Sequence, residues 1–377
     1  MPLLVLSGAD VRAVLGYADC AGAMRSALAA RARGDVFQPL RTVLAPPGAA
    51  GLMALMPAYA AGPPAATRPA DPGDPGVGLA PGYGLKAICI TPGNPAAGLD
   101  AHQGIVLLSS AATGEPVAVL NASALTEIRT AAVSAVATDL LAVPGADVVA
   151  IIGTGVQARA HLAALAATRP LAEVRVAGSR PDRAAEFVRR LTTEGGGTHG
   201  WADSRAVVRG RAGEVPVLAC ASAREAVDGA AIVVTATSSA TPVLHRDWLA
   251  PGTHINAVGA CLPGTRELDT ATVAGASLFA DSRESVLAEA GDYLLAAADG
   301  AIGPEHLRAE IGDLLAGSDG PAAPGGEAGT ATGPGRRDAA EITIFESLGL
   351  AVEDLAAATA AYQAATRSGA GTLVDFG

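Results

Sequence analysis

The sequence predicts an α/β protein in two parts: a parallel sheet flanked by helices, and an α+β part that mixes helices with antiparallel strands. Three observations predict it. An apolar run at residues 147–152 passes through Gly153-Thr154-Gly155 into an Ala-rich helical stretch. Beyond it, short apolar runs alternate with helical ones to about residue 316, the pattern of strand–helix–strand units. Before it, the first 140 residues combine helix signals with paired strand signals.

Taken in order, residues 10–15 open a first helix, and residues 20–32 form a second that stops near Gly34. Residues 40–44 and 52–56 read as paired strands around the Pro46-Pro47-Gly48 turn. Residues 62–82, rich in Pro, Gly and Ala, read as a surface insertion. Residues 83–91 and 104–109 are strands, and Thr113-Gly114-Glu115-Pro116 folds the second back into a hairpin. A long helix spans 125–141, with Leu125, Ile128, Ala132 and Val136 on one face and Pro144-Gly145 as its stop. After the glycine turn, residues 173–178, 231–235, 254–258 and 277–280 supply further strands. Residues 192–213 read as a loose Gly-rich insertion, and residues 342–345 with the helix 351–366 are expected to return to the first part. The expected domains are 1–140 with 338–377, and 141–316. A flexible linker at 317–337 joins them.

A chain of 377 residues is long enough for two domains with a sizeable core. Its 26 basic and 37 acidic residues give a net charge of −11 with no basic block, which argues against nucleic acid and anionic surfaces as partners. No stretch of membrane-spanning length is free of breakers, and the first residues carry neither a basic start nor a cleavage site. The expectation is a soluble, cytoplasmic protein with no membrane partner. Cys20, Cys89, Cys220 and Cys261 are scattered and fit no zinc spacing, and His161, His199, His245, His254 and His306 are equally dispersed, so no metal site is expected.

The glycine turn carries the chemistry. Gly153 permits the turn, Gly155 lets backbone approach a pyrophosphate, and Ala158 keeps the helix close to its strand. The N–H groups and partial positive charge of the helix N-terminus then suit that anion, with Thr154, Val156 and Gln157 alongside. With a strand before it and a helix after it, the motif reads as a Rossmann-type dinucleotide site rather than a structural turn. At the end of the next strand an NAD site needs a carboxylate for the ribose hydroxyl, and the chain offers Ser179, Arg180 and Arg183 instead. Ser179 can hydrogen-bond a 2′-phosphate and Arg180 can pair with it or stack on adenine, which favours NADP(H) over NAD(H). The plainer alternative has Arg180 and Arg183 simply facing solvent.

Many short motifs, in order, resemble the ornithine cyclodeaminase/μ-crystallin family. They are Arg41-Thr42, Met56-Pro57, Gly84-Leu85-Lys86, Asn94-Pro95, Gly98-Leu99, Gln103-Gly104, Leu125-Thr126 and Arg129-Thr130. Gly153 to Ala158, Thr235-Ala236-Thr237, Ile255 to Ala260, Arg266 to Asp269 and Ile344 to Asp354 continue the series. The resemblance implies a homodimer built through the first part, a Rossmann domain, and an active site in the cleft between them. Matched by position, Arg41, Lys86 and Arg129 are the catalytic and substrate-binding cations. Met53, His102 and Cys261 join Arg41 and Lys86 in lining the substrate pocket. Arg129, Thr130, Val258, Gly259 and Ser347 would hold the nicotinamide, and Thr235, Ala236 and Thr237 complete the cofactor-binding set.

The physics of those positions is consistent. A guanidinium fork grips a planar carboxylate, and a buried lysine beside guanidinium groups has a depressed pKa that suits proton transfer to an imine nitrogen. From Gly-Leu-Lys alone, Lys86 also reads as a strand-end surface lysine, and Arg129 as a structural salt bridge. Cys261 stands where cyclodeaminases of the family carry an aspartate, and a neutral thiol is a poor substitute for a base. The motifs around 254–269 and 347–354 look most like the μ-crystallin branch, which contains ketimine reductases and prefers NADPH. The first expectation is therefore NADPH-dependent reduction of a 2-imino acid, or the reverse amino-acid or opine-type dehydrogenation. A cyclodeaminase using NAD catalytically, and a non-catalytic NADPH-dependent binder of a small ligand, are the alternatives.

Overall fold

A computed structural model describes residues 2–62, 80–194, 205–318 and 335–377. The chain opens with β1 (Pro2–Leu6), α1 (Gly8–Val14) and α2 (Tyr17–Ala32). Next come β2 (Val36–Phe37), β3 (Thr42–Leu44), β4 (Leu52–Ala60), β5 (Gly82–Ile90), β6 (His102–Ser110), β7 (Pro116–Asn121) and α3 (Ala122–Leu141). The parallel part follows with β8 (Val148–Ile152), α4 (Val156–Thr168), β9 (Glu173–Ala177), α5 (Pro181–Glu194), β10 (Arg205–Gly210) and β11 (Gly213–Ala219). It continues through α6 (Ala223–Val227), β12 (Ile232–Thr235), β13 (His254–Ala257), α7 (Thr270–Ala274), β14 (Ser277–Ala280), α8 (Arg283–Glu289) and α9 (Gly291–Ala298). The last elements are β15 (Leu307–Glu310), α10 (Ile311–Ser318), β16 (Thr343–Glu346), α11 (Ala351–Ser368) and β17 (Thr372–Asp375).

The chain forms two compact units, Met1–Thr130 with Gly349–Gly377, and Ala131–Leu348. In unit 1 an eight-stranded sheet runs β17-β1-β7-β6-β5-β4-β2, with β3 also paired to β4. All its pairs are antiparallel except β1 with β7. Strand β5 shows why one face is covered: Gly82, Gly84, Lys86 and Ile88 are buried, while Tyr83 and Cys89, on the alternate positions, are exposed. Helix α11 packs on the buried face. Gly84 makes room for it, since a Cβ there would stand 3.0 Å from Leu355 Cδ1.

Unit 2 holds a nine-stranded sheet in the order β10-β11-β9-β8-β12-β13-β16-β14-β15, parallel throughout except for β10 with β11. Strands β12 and β13 are buried at every position, as parallel strands covered on both faces must be. Helix α3 departs from its expected single apolar stripe: Glu127 through Thr138 are all buried, because small alanines let neighbours approach from every side. No helix among the described residues is long and apolar enough to cross a membrane.

Three expectations are corrected. The run at 342–345 does not return to the first part; β16 lies between β13 and β14 in the unit 2 sheet. Its four residues are buried without alternation, the signature of a central strand with neighbours on both edges. The insertion at 192–213 is not loose throughout, since 205–210 is β10, which turns at Gly213 (φ +135°) into β11. The linker at 317–337 ends in structure. Arg336 is buried, donating to the carbonyls of Leu141, Gly252 and Glu341. The remainder of these segments, residues 63–79, 195–204 and 319–334, lies outside the described residues.

Candidate active site

Unit 1 collects its charged residues on the helix-covered face of the sheet. Lys86 on β5 is only 2% exposed, with Nζ 2.7 Å from Asp354 Oδ2 on α11. Arg129, near the middle of α3, donates from Nε to Asp354 Oδ1 and from Nη1 to Glu353 Oε2, both at 3.1 Å. Asp354 thus bridges the two cations, one to each oxygen. Glu353 also accepts the backbone N–H of Leu350 and so caps α11.

Gly349 stands beneath both guanidinium groups. Its φ of +79° is glycine territory, and a Cβ there would lie 2.5 Å from Arg129 Nη1. Its carbonyl accepts from Arg41 Nη2 at 3.1 Å. Three cations therefore share one small volume with two carboxylates. The pKa of Lys86 falls to about 8, chiefly from burial; the charge of Asp354 opposes the shift, and those of Arg129 and Arg41 add to it.

Sheet register places the other expected pocket residues. His102 pairs with Ile90, an even position on β5, and so shares the face of Lys86. Partial burial and then the charges of Lys86 and Arg129 hold its pKa below the usual value. Met53 does not join the group. It pairs with Cys89 on the opposite, exposed face, because side chains alternate and Lys86 is paired with Met56. Thr130 is buried at the next position on α3.

Unit 2 aligns its expected cofactor residues along one edge. Ile152 of β8 is opposite both Ala177 of β9 and Thr235 of β12, Thr235 is opposite Ala257 of β13, and Ala257 is opposite Glu346 of β16. The next residue on each strand is Gly178, Gly153, Ala236, Val258 and Ser347, so these five stand in a row past the carboxyl ends of adjacent parallel strands. That is where open α/β sheets bind ligands. Gly153 has φ +134°, and a Cβ there would collide with the Ala236 carbonyl oxygen. Gly155 is the N-cap of α4, flanked by Thr154, the exposed Val156 and the half-buried Gln157, while Ala158 is fully buried behind it.

Past β9, Ser179, Arg180 and Arg183 are all exposed, and Arg180 forms a two-point pair with Asp182 at 3.0 and 2.9 Å. Cys261 is half-buried against the hydrophobic core of unit 2. Beneath the row, Glu267 accepts the N–H groups of Thr237 and Gly259 at 2.6 and 2.7 Å. Asp281, Asp292 and Glu346 are also buried. No group of three or more His, Cys, Asp or Glu among the described residues is placed to hold a metal ion.

Sequence reasoning missed Glu353, Asp354 and Glu267 as site residues. The signal was present for the first two: adjacent acids opening a helix that is otherwise almost wholly apolar, Leu350 to Ala358. An acid in that setting must find buried cations.

Residues 75–369 match the ornithine cyclodeaminase/mu-crystallin family. The ketimine reductase mu-crystallin of Mus musculus is 35% identical over 329 residues, 87% of this chain and 85% of that protein. The structure of Thermococcus litoralis Delta(1)-pyrroline-2-carboxylate reductase in complex with NADH and L-proline superimposes with a TM-score of 0.81 at 30% identity, covering 99% of this chain and 100% of the other. An archaeal alanine dehydrogenase dimer with bound NAD gives a TM-score of 0.80 at 29% identity, with both chains covered in full. The chain, with its Rossmann-type sheet in unit 2, belongs to the ornithine cyclodeaminase/mu-crystallin family.

Proposed function

We propose that the protein reduces the C=N bond of a 2-imino acid, cyclic or linear, with NADPH, or runs the reverse amino-acid dehydrogenation. As a member of this family it is an oxidoreductase that acts at carbon–nitrogen bonds with a nicotinamide cofactor. The observation that carries the finer reading is the buried Lys86, held by Asp354 and set beside the guanidinium groups of Arg129 and Arg41. The guanidinium groups suit the substrate carboxylate, whose flat two-oxygen edge matches their geometry. Lys86 holds its proton at neutral pH but releases it far more readily than a solvated lysine, so it can pass that proton to the imine nitrogen. Asp354, whose charge favours the protonated form, steadies Nζ for the transfer.

The unit 2 edge fits a dinucleotide. A side chain added at Gly155 would meet no atom within 4 Å, so the N–H groups opening α4 are sterically accessible to a pyrophosphate. Gly153, Thr154, Gly155, Val156 and Gln157 would hold that group. Thr235, Ala236, Thr237, Val258, Gly259 and Ser347 would border the nicotinamide half. Bound there, the cofactor supplies the hydride. No carboxylate ends β9, and Ser179, Arg180 and Arg183 suit a 2′-phosphate, which favours NADPH over NADH; Arg180 would exchange Asp182 for the phosphate.

The partner is a second copy of the chain. Phe37, Leu44, Met53, Tyr83 and Ile105 share the sheet face opposite α11, and each is at least 39% exposed. An apolar patch of that kind marks an association surface.

The test is turnover. Oxidation of NADPH and of NADH is followed with pyrroline-2-carboxylate and piperideine-2-carboxylate. Oxidation that saturates with either imine, faster with NADPH, is the expected result. No oxidation, together with ammonia release from ornithine in the presence of NAD, would replace this reading with cyclodeamination. Saturable ligand binding without either reaction would replace it with a binding role.

A further inference from the structure

The carboxylate of Glu267 is fully buried and makes two bonds that join separate pieces of main chain. Oε1 accepts the N–H of Thr237, two residues past β12, and Oε2 accepts the N–H of Gly259, two residues past β13. The strands are neighbours in register, Thr235 beside Ala257. Their ends would otherwise be separate loops. Only glycine fits at 259: a Cβ there would stand 2.6 Å from Glu267 Cδ and closer still to the Thr237 carbonyl oxygen. The clamp is itself held from behind, since Asp292 Oδ1 accepts the N–H groups of both Glu267 and Leu268 at 2.8 Å.

A carboxylate that gives one oxygen to each of two loops fixes backbone geometry. Charge-assisted bonds to buried N–H groups are roughly twice as strong as neutral ones, so the link between the loops is stiff. A rim ordered before the ligand arrives spares the cost of ordering it on binding.

We propose that Glu267 is a positioning residue for the cofactor, tying the loop after β12 to the loop after β13 so that the backbone bordering the nicotinamide half is set in advance. The inference rests on the reading of unit 2 as a dinucleotide site. Glu267 touches no reacting atom in this scheme and acts only through residues 235–237 and 258–259.

The test separates the two halves of the cofactor. Glu267→Gln keeps the size of the side chain but presents an N–H where one loop needs an acceptor. The intact protein and the variant are titrated with NADPH and NADH, and with ADP-ribose and its 2′-phosphate, which lack nicotinamide. The variant is expected to bind the dinucleotides about tenfold more weakly, with the nicotinamide-free ligands unchanged. A purely structural role would weaken both classes together, and that result, or no loss at all, overturns the proposal. Should the Gln variant not accumulate folded, Glu267→Asp, too short to reach both loops, undergoes the same titration. Wild-type protein that binds none of the four ligands overturns the dinucleotide reading itself. Wild-type binding without a selective loss in the variant overturns only the role of Glu267.

Discussion

Unit 1 buries a cluster of charges of both signs, and unit 2 buries a cluster of acids, its buried Arg336 being held by main-chain carbonyls instead. In the first, Lys86 and Arg129 meet Glu353 and Asp354 at 2.7 to 3.1 Å, so each desolvated charge has an opposite within reach. In the second, Glu267, Asp281, Asp292 and Glu346 are all buried carboxyl groups. Glu267, Asp281 and Asp292 accept main-chain N–H groups, Asp281 from Leu348 at 2.8 Å. The rest of the strain is relieved by protons. Burial, with the charge of Glu267 adding, pushes Asp292 up to about 7; burial and then the charges of Asp292, Glu267 and Asp281 push Glu346 well above its ordinary value. A mixed cluster keeps its ions and can exchange a proton with a substrate. An acid cluster gives up charge and serves the backbone.

The sharpest way to break this contrast is to remove the lysine. Lys86→Ala should lower kcat for imine reduction about a thousandfold, as loss of a general acid does, while dinucleotide affinity stays within a few-fold. Steady-state kinetics beside a cofactor titration checks both halves, and unchanged turnover would remove Lys86 from the chemistry.

Asp354→Asn comes next. It strips a counter-charge from Lys86 and Arg129, and breaking a buried pair costs about 3–5 kcal/mol of stability. Asp354 raises the pKa of Lys86, so without it that value should fall below about 8. Reduction, which needs the protonated lysine, should then be lost at a lower pH than in the wild type. A pH–rate profile that keeps the wild-type limb would refute the assignment.

Arg180 offers the solvated control. Arg180→Ala should weaken NADPH about tenfold and NADH hardly at all, with the thermal midpoint unmoved, because its pair with Asp182 is fully exposed. Equal weakening of both cofactors would show that this side chain does not read the phosphate.

Glu346→Gln probes the acid cluster with the smallest effect. A carboxyl whose folded pKa is raised stabilises fully below its unfolded value, near 4.5, and loses that contribution as pH rises through the folded value. Glutamine stays neutral throughout. The unfolding free energy of the variant should therefore fall less steeply above about pH 5, by up to about 1.4 kcal/mol per pH unit for one proton. Denaturant titrations across pH that give parallel curves would mean Glu346 is already ionised.

Much of unit 2 was legible because its signals are local. The strand, Gly153, Gly155 and the helix follow one another between Val148 and Thr168, and parallel register then carried Ala236, Val258 and Ser347 into line with them. The position of β16 was not legible, since nothing within Thr343–Glu346 names its neighbours on the sheet. In unit 1 the cations were found through resemblance, while Glu353 and Asp354, more than two hundred residues from Arg129, were found only by the fold. Met53 failed for a simpler reason. A strand residue three places from Met56 faces the other way.

Strand β16 has a consequence for how the molecule is made. The sheet positions of β14 and β15 are joined to the remaining strands through residues 343–346, and unit 1 awaits α11 and β17 from the residues that follow them. A growing polypeptide on the ribosome therefore carries two unfinished sheets until residues 343–375 have emerged. Any nascent chain released early exposes raw strand edges, a direct invitation to chaperones and proteases.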